Sequence, residues 1–478
     1  VEQLVYMEDV TNTLVNSGDK FKEIEAALIE AKELDNPNLT YKVVPFFGNN
    51  QFFLLATIKY NDVRLVGAPP SSIGKFGADT DNWVFPRHTG DFSLFRVYDE
   101  NGNAFTPAQH LKVNIAPRTP GEFTMVFGYP GRTQEYLTAV EMDQLVNVEN
   151  ARRVEIRNVL LSIMDSEMRA DAEVQLKYAS KYARIANGWK KWIGQIEGVQ
   201  FSKGLDRKRK LEAEFTARIA ADANLWDKYS GLLNEIAVNN TQIAEGQLKR
   251  NEFIETIYYG MEWFSLMSQL QRAKSDVDMD VALVEFHQNY SRTVSEKTTA
   301  ALLSMALETF PDLLGDMDET TFVSTVHDEI DALVELATKD DSIELTAVAP
   351  TASNFNTSAF QAFYTVSPDN ALLQKATELS AEYMRALMEV FPERNFYPDA
   401  NSTLRVTYGK LEGVNPRDAV SYGTTTYLDG AMAKYKPGDY EFDMPAKLIE
   451  LYDNKDYCQY SENGKLPVCN IASNHTTG

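Results

Sequence analysis

The sequence predicts an α+β chain in which a long all-helical block interrupts a β-rich domain. Three observations carry this. Apolar residues recur with a period of two between Tyr41 and Gly67. From about Ala139 to Pro392 the chain becomes rich in Ala, Leu, Glu, Lys and Arg, with helical periodicity and few breakers. At Ser402-Thr403-Leu404-Arg405-Val406-Thr407-Tyr408-Gly409 the strand-like alternation returns. Roughly 250 residues of helix between two β-rich segments read as an inserted domain. The segments are therefore drawn as a helical linking segment over 1–40, a β part over 41–138, an inserted helical domain over 139–395 and a second β part over 396–478.

In chain order, residues 1 to 36 read as helical, with Phe21, Ile24, Leu28 and Ala31 on one face and Asp19 placed to cap. The runs Tyr41–Phe47, Phe52–Tyr60 and Val63–Gly67, separated by turn residues such as Asn61-Asp62, read as an antiparallel meander or small barrel. Further strands are expected at Leu94–Tyr98, Leu111–Ile115 and Glu122–Phe127, the last ending in the Gly/Pro turn Gly128-Tyr129-Pro130-Gly131. Within the helical block the stripes Leu211, Phe215, Ile219, Tyr229, Leu233, Ile236 and Val154, Leu161, Met168, Ala172, Leu176 mark faces for burial. No repeat at a fixed period is evident, so a solenoid is not expected.

The chain has 478 residues and a net charge of -23, an acidic balance that makes nucleic acid a poor partner. No stretch approaches the roughly 18 unbroken apolar residues of a membrane helix. Its two cysteines, Cys458 and Cys469, flank a turn-like Ser461-Glu462-Asn463-Gly464. That spacing suits a disulfide formed in an oxidising compartment, the alternative being two unrelated thiols. No Cys/His spacing typical of a metal site is present.

Candidate chemistry concentrates in the loop Gly77–Ser93, which packs Asp79, Asp81, Trp83, Arg87, His88 and Asp91 between strands. Loops carry binding and catalytic groups more often than core. Asp79 and Asp81 alternate as the ligands of a hard cation would, but two carboxylates leave most of such a shell empty, and Asp/Asn clusters commonly build turns. No metal or other cofactor is therefore expected. His88 and Asp91 resemble a general base beside its orienting acid, yet neighbours in one tight loop usually satisfy one another, so His88 reads chiefly as structural. Asp91 follows Gly90 and precedes a strand, a setting in which a buried carboxylate can orient an imidazole arriving from elsewhere. Its alternative is a turn-capping aspartate. Asn82-Trp83 offers amide groups and an apolar wall suited to gripping a peptide end, or else a core indole beside a turn asparagine.

The run Phe52–Ile58, the blocks Asp81-Asn82-Trp83 and Pro86–Ser93, the segment Gly128–Leu137, Tyr397-Pro398-Asp399-Ala400-Asn401 and the ending His475-Thr476-Thr477-Gly478 together resemble the bacterial dipeptidyl-peptidase family that contains dipeptidyl peptidases 7 and 11. The resemblance spans essentially the whole chain. It implies a chymotrypsin-like double β-barrel, incomplete here, with a large inserted all-α domain. It also implies a dimeric serine exopeptidase exported to the periplasm or cell surface, acting on oligopeptides with a free N-terminus.

Carried over by motif, Asp91 matches the acid of a Ser-His-Asp triad, and Asn82 and Trp83 match residues that hold the substrate's amino terminus. Asn187, within Ile185-Ala186-Asn187-Gly188-Trp189, matches an asparagine of the helical domain that completes this grip. The family's catalytic histidine is expected before Val1 and its serine after Gly478, and neither His88 nor His475 replaces them. The expectation is thus an interior portion of a serine dipeptidyl peptidase, inactive by itself. The alternative is a non-catalytic relative that binds peptide N-termini, and a metal-dependent hydrolase using Asp79 and Asp81 is a weaker third reading.

Overall fold

The computed structural model describes residues 1–15, 18–273, 275–337 and 345–471. The chain is α+β and divides into two compact units, one formed by Val1–Tyr136 with Ser380–Gly478 and the other by Leu137–Leu379.

The first unit holds all eleven strands found among the described residues. They are β1 (Glu2–Asp9), β2 (Thr40–Phe46), β3 (Gln51–Lys59), β4 (Asp62–Gly67), β5 (Leu94–Tyr98), β6 (Phe123–Gly128), β7 (Arg405–Lys410), β8 (Val414–Arg417), β9 (Val420–Tyr422), β10 (Thr425–Tyr427) and β11 (Pro467–Asn470). The largest sheet has the order β1-β3-β2, all antiparallel, and β4-β5, β6-β7, β8-β9 and β10-β11 are two-stranded ladders. Among the described residues these ladders do not close into a barrel. The β6-β7 ladder, running from Phe123 opposite Lys410 to Gly128 opposite Arg405, brackets the helical block along the chain. The chain leaves along one strand and returns along its hydrogen-bonded neighbour.

Two expectations for this unit are corrected. The chain start is not helical throughout, because Glu2–Asp9 is strand β1, paired to β3 from Glu2 opposite Lys59 to Asp9 opposite Phe53. Leu4, Val5 and Tyr6 are strand formers, and the free edge of β3 supplies the ladder that a short isolated helix would lack. The helix Phe21–Asp35 does form, with Lys20 at its N-cap and no side-chain cap. It packs Phe21, Ile24 and Leu28 onto Tyr41, Phe52 and Leu54 of the sheet, as their spacing predicts. Leu111–Ile115 forms no strand, and Leu111, Val113 and Ile115 are exposed. The residues around them provide no partner edge, so alternation alone does not make a strand here.

The second unit is helical. It opens at Thr138, whose hydroxyl accepts from the Glu141 N–H while the Glu141 carboxylate accepts from the Thr138 N–H, a reciprocal capping box. Asn150–Ala170 and the 30-residue helix Ala172–Phe201 meet at Asp171, whose carboxylate caps the second by accepting from the Glu173 and Val174 amides. That extended residue interrupts the Val154-to-Leu176 stripe: Leu161 and Met168 are buried, whereas Leu176 is exposed. The Leu211-to-Ile236 stripe buries Phe215, Ile219, Tyr229 and Ile236. An aromatic core of Phe253, Trp263, Phe264, Phe322 and Phe355 holds the later helices together. Two π-helical turns, Gln144–Glu149 and Ile254–Tyr258, lie in this unit.

Candidate functional site

The loop between β4 and β5 is held in place from behind. Gly77 has φ +81°, and a Cβ there would fall 2.3 Å from Asp81 Oδ2, so only glycine lets the chain fold back on Asp81. The Gly77 amide donates to the Glu441 carbonyl at 2.7 Å, and Thr80 donates to the Glu441 carboxylate through its amide (3.2 Å) and its hydroxyl (3.0 Å). Asp81 is 5 % exposed and receives the Lys434 ammonium at 2.7 Å. Lys434 also donates to the Pro86 carbonyl at 3.2 Å. Arg87 binds the loop to itself, donating to Thr89 Oγ1 at 3.0 Å, the Asp81 carbonyl at 3.2 Å and Asn82 Oδ1 at 3.4 Å. The Thr426 hydroxyl of β10 donates to the Arg87 carbonyl at 2.8 Å.

This clamp gives each sequence candidate a definite setting. Asp81 and Asp79 face different lysines, Lys434 at 2.7 Å and Lys75 at 4.0 Å. Among the described residues no group of three or more His, Cys, Asp or Glu side chains is placed to hold a metal ion. His88 is 7 % exposed and packs edge-on against Gly430, where any Cβ would fall 2.1 Å from Nε2. Burial first, then the Lys434 charge, lowers its pKa below the ordinary imidazole value, so it sits in the fold as a neutral spacer. Its Nδ1 has no hydrogen-bond partner among the described residues.

Asn82 is half-buried, and its carbonyl oxygen is oriented by Arg87. Trp83, at φ +60°, projects an indole that is 63 % exposed. Left-handed backbone is uncommon for a bulky residue and is maintained here by the hydrogen bonds on either side. The core-indole alternative for Trp83 is thereby excluded.

Asp91 corrects the expectation of a buried carboxylate. Gly90 does allow the close approach expected of it: its amide donates to the Ile73 carbonyl at 2.9 Å, and a Cβ on Gly90 would stand 3.0 Å from Ile73 Cγ2. The Asp91 side chain is nevertheless exposed, and among the described residues no hydrogen bond or ion pair reaches its carboxylate. The strand it leads into, β5, is paired only to β4, and Leu94 and Phe95 are exposed beside it.

The disulfide expectation is also corrected, since Cys458 and Cys469 are both free thiols. Cys458 is exposed beside the Asp456 carboxylate at 3.5 Å, whereas Cys469, on β11, donates to the Thr89 carbonyl at 3.1 Å. Strand β11 turns Cys469 toward the loop, and burial pushes its thiol pKa up.

Asn187 lies on the helix Ala172–Phe201 of the second unit, with its side chain exposed. The residues around it are tied down: the Ile185 carbonyl accepts from Arg157 at 2.7 Å, and Trp189 donates to Asn158 Oδ1 at 2.7 Å. Sequence reasoning missed Lys434, Glu441 and Thr426, which brace the loop from more than 330 positions away. No local pattern marks them. The family-like ending His475-Thr476-Thr477-Gly478 lies outside the described residues.

The family described as Peptidase S46 matches residues 1–478. An Asp/Glu-specific dipeptidyl-peptidase of Flavobacterium psychrophilum is 40% identical over 475 residues, covering 91% of this chain and 66% of the relative. A protein of the same name from Capnocytophaga gingivalis is 36% identical, covering 98% of this chain and 71% of the relative. Dipeptidyl-peptidase 7 of Phocaeicola vulgatus is 31% identical, covering 100% and 73%. Among solved structures, Porphyromonas endodontalis DPP11 in complex with the dipeptide Arg-Glu superimposes with a TM-score of 0.85 at 27% identity, covering 98% of this chain and 74% of that one. This chain thus spans about two thirds of the first relative and about three quarters of the others.

Proposed function

The chain belongs to the peptidase S46 family, and on that premise we propose that the protein is a serine-type dipeptidyl peptidase releasing dipeptides from the free N-terminus of oligopeptides. The observation that carries this reading is identity of 40% and 36% to two Asp/Glu-specific dipeptidyl-peptidases along 91% and 98% of the chain. Both relatives are named Asp/Glu-specific, and for this protein we infer substrates with Asp or Glu before the scissile bond. DPP11 structures holding Arg-Glu and Arg-Asp are consistent with that preference.

In this reading Asn82, Trp83 and Asn187 hold the substrate's ammonium group. A cationic amine stripped of water needs several fixed acceptors, and a carbonyl oxygen already oriented, as Asn82 Oδ1 is by Arg87, loses little entropy on binding. The exposed face of Trp83 supplies an apolar wall and a cation-attracting ring. Closing one end of a cleft around the amine leaves room for two residues before the bond that is cut. In the same reading Asp91 is the acid of a Ser-His-Asp triad, its exposed carboxylate accessible to an imidazole. On this view the five sheets form part of a chymotrypsin-like double β-barrel, and the Leu137–Leu379 unit is the helical insertion. Export to the periplasm or cell surface and homodimer formation complete the proposal. Among the described residues no helix is long and apolar enough to cross a membrane.

The test uses the full-length peptidase with fluorogenic dipeptidyl substrates, free or N-acetylated. Cleavage after Asp or Glu of the free substrates alone is expected, with Asp91→Asn lowering kcat by about 10⁴-fold and leaving KM little changed. Equal cleavage of acetylated substrates would remove the amine grip, and an undiminished Asp91→Asn enzyme would remove the triad assignment. The second reading, a non-catalytic binder of peptide N-termini, draws on the exposed Asp91 carboxylate, which no hydrogen bond reaches among the described residues. It is favoured if the full-length protein binds free-N-terminus peptides without cutting them.

A further inference from the structure

Asn187 sits in the interior of the 30-residue helix Ala172–Phe201, on a stretch that the preceding helix grips at four points. Arg157, on Asn150–Ala170, donates through Nη1 to the Ile185 carbonyl at 2.7 Å. Its guanidinium lies 4.3 Å from the Trp192 ring centroid, and next to it Asn158 accepts the Trp189 indole N–H. The fourth point is Gly188. A Cβ there would fall 2.4 Å from Arg157 Nη1, so the arginine occupies the place of a side chain. Glycine inside a helix costs about 1 kcal/mol relative to alanine. Gly194 and Gly198, in the same helix, have no neighbour within 4 Å of where a Cβ would stand, so Gly188 is the one of the three that a neighbour demands.

Arg157 is itself immobilised. It is 8 % exposed and makes a two-pronged contact with Glu255, Nε at 2.6 Å and Nη2 at 3.1 Å. Glu255 is 4 % exposed and lies in the π-helical turn Ile254–Tyr258. Planar, bidentate pairing of this kind fixes the guanidinium in direction as well as in place. Insertion of one residue into a helix re-aims the side chains beyond it, and such π turns recur at functional sites.

We propose that Arg157, held by Glu255, is a positioning residue for substrate binding: it fixes the turn of helix that carries Asn187, so that the asparagine meets the peptide's amino terminus already oriented. The inference rests on the role given to Asn187 above. Pre-orientation of this kind affects substrate capture more than the bond-breaking step, since Arg157 acts through the helix backbone and not on the reacting atoms.

The experiment measures kcat and KM of the full-length peptidase on an Ala-Glu-aminomethylcoumarin amide for Asn187→Ala, Gly188→Ala and Arg157→Lys, with amide hydrogen exchange over residues 185–192. Gly188→Ala pushes the planar guanidinium off the Ile185 carbonyl and tilts its pairing with Glu255 as one body, while alanine, the better helix former, offsets part of the cost; circular dichroism checks that the variant folds. Its KM is expected to rise about 10-fold with kcat little changed, and exchange over 185–192 to quicken. Arg157→Lys, which loses the planar fork, is expected to fail to restore wild-type KM; should it not fold, Gly188→Ala decides alone. An unchanged KM in Gly188→Ala beside a raised KM in Asn187→Ala overturns the proposal. A silent Asn187→Ala overturns the amine-grip role instead; in that case a raised KM in Gly188→Ala keeps the clamp and assigns its effect to another residue of the same turn, and an unchanged one overturns both.

Discussion

A single ammonium group decides the geometry of the loop. Lys434 joins the Asp81 carboxylate to the Pro86 carbonyl, and Asp81 is almost fully buried while Lys434 is about 29% exposed. Removing the cation strands a desolvated carboxylate, a change that costs several kcal/mol for fully buried pairs and less where one partner touches water. Lys434→Met is therefore expected to lower stability by about 2 kcal/mol in urea unfolding, and a variant as stable as the parent would show that the pair does not brace the loop. At this scale the loop that carries Asn82, Trp83 and Asp91 was legible, because a dense polar and aromatic stretch between strands is conspicuous in one dimension. Lys434 and Glu441 were not, since a lysine and a glutamate more than 340 positions from their partners look like any solvated charge. The exposure of Asp91 was equally hidden: glycine before a strand signals close backbone approach, and says nothing about what covers the next side chain.

Among elements, the strands β2 to β7 fall within a residue or a few of where alternation puts them, because their apolar faces and turn residues are local properties. β1 escaped because its pattern competes with a helical one and is decided by the open edge of β3, which lies more than 40 residues further on. The short helix Leu428–Lys434 shows how a neighbour can reverse a propensity. Alanine at Gly430 would favour the helix, yet its Cβ would run into the buried His88 ring. Gly430→Ala is expected to destabilise by about 1 to 3 kcal/mol, whereas Gly194→Ala, in open space, is expected to stabilise by about 1 kcal/mol. Thermal unfolding of the two variants checks the opposite signs; a stabilised Gly430→Ala would mean the ring yields.

For the whole molecule, each unit carries one buried histidine among the described residues. His88 serves the first, and His327 the second, its Nδ1 donating to the Val323 carbonyl at 2.7 Å and its Nε2, in the neutral ring, accepting from the Ser295 hydroxyl at 3.0 Å. Burial is the first cause of a lowered pKa in both. A base whose folded pKa lies below its unfolded value of 6.5 binds protons more readily in the unfolded chain, so its contribution is fully present above pH 6.5 and is lost as pH falls toward the folded value. Urea midpoints are expected to fall on acidification from pH 7 to pH 5, and less steeply in a His327→Gln variant. A flat profile would contradict the neutral state of both rings. The long reach of the loop's braces also governs when the molecule matures. Its anchors, Thr426, Lys434 and Glu441, are translated hundreds of codons after Gly77, Asp81 and Arg87. On the ribosome the loop thus emerges untethered, and no nascent chain stalled short of residue 441 has the full set of braces. The loop that carries Asn82, Trp83 and Asp91 is completed only late in the chain's own synthesis.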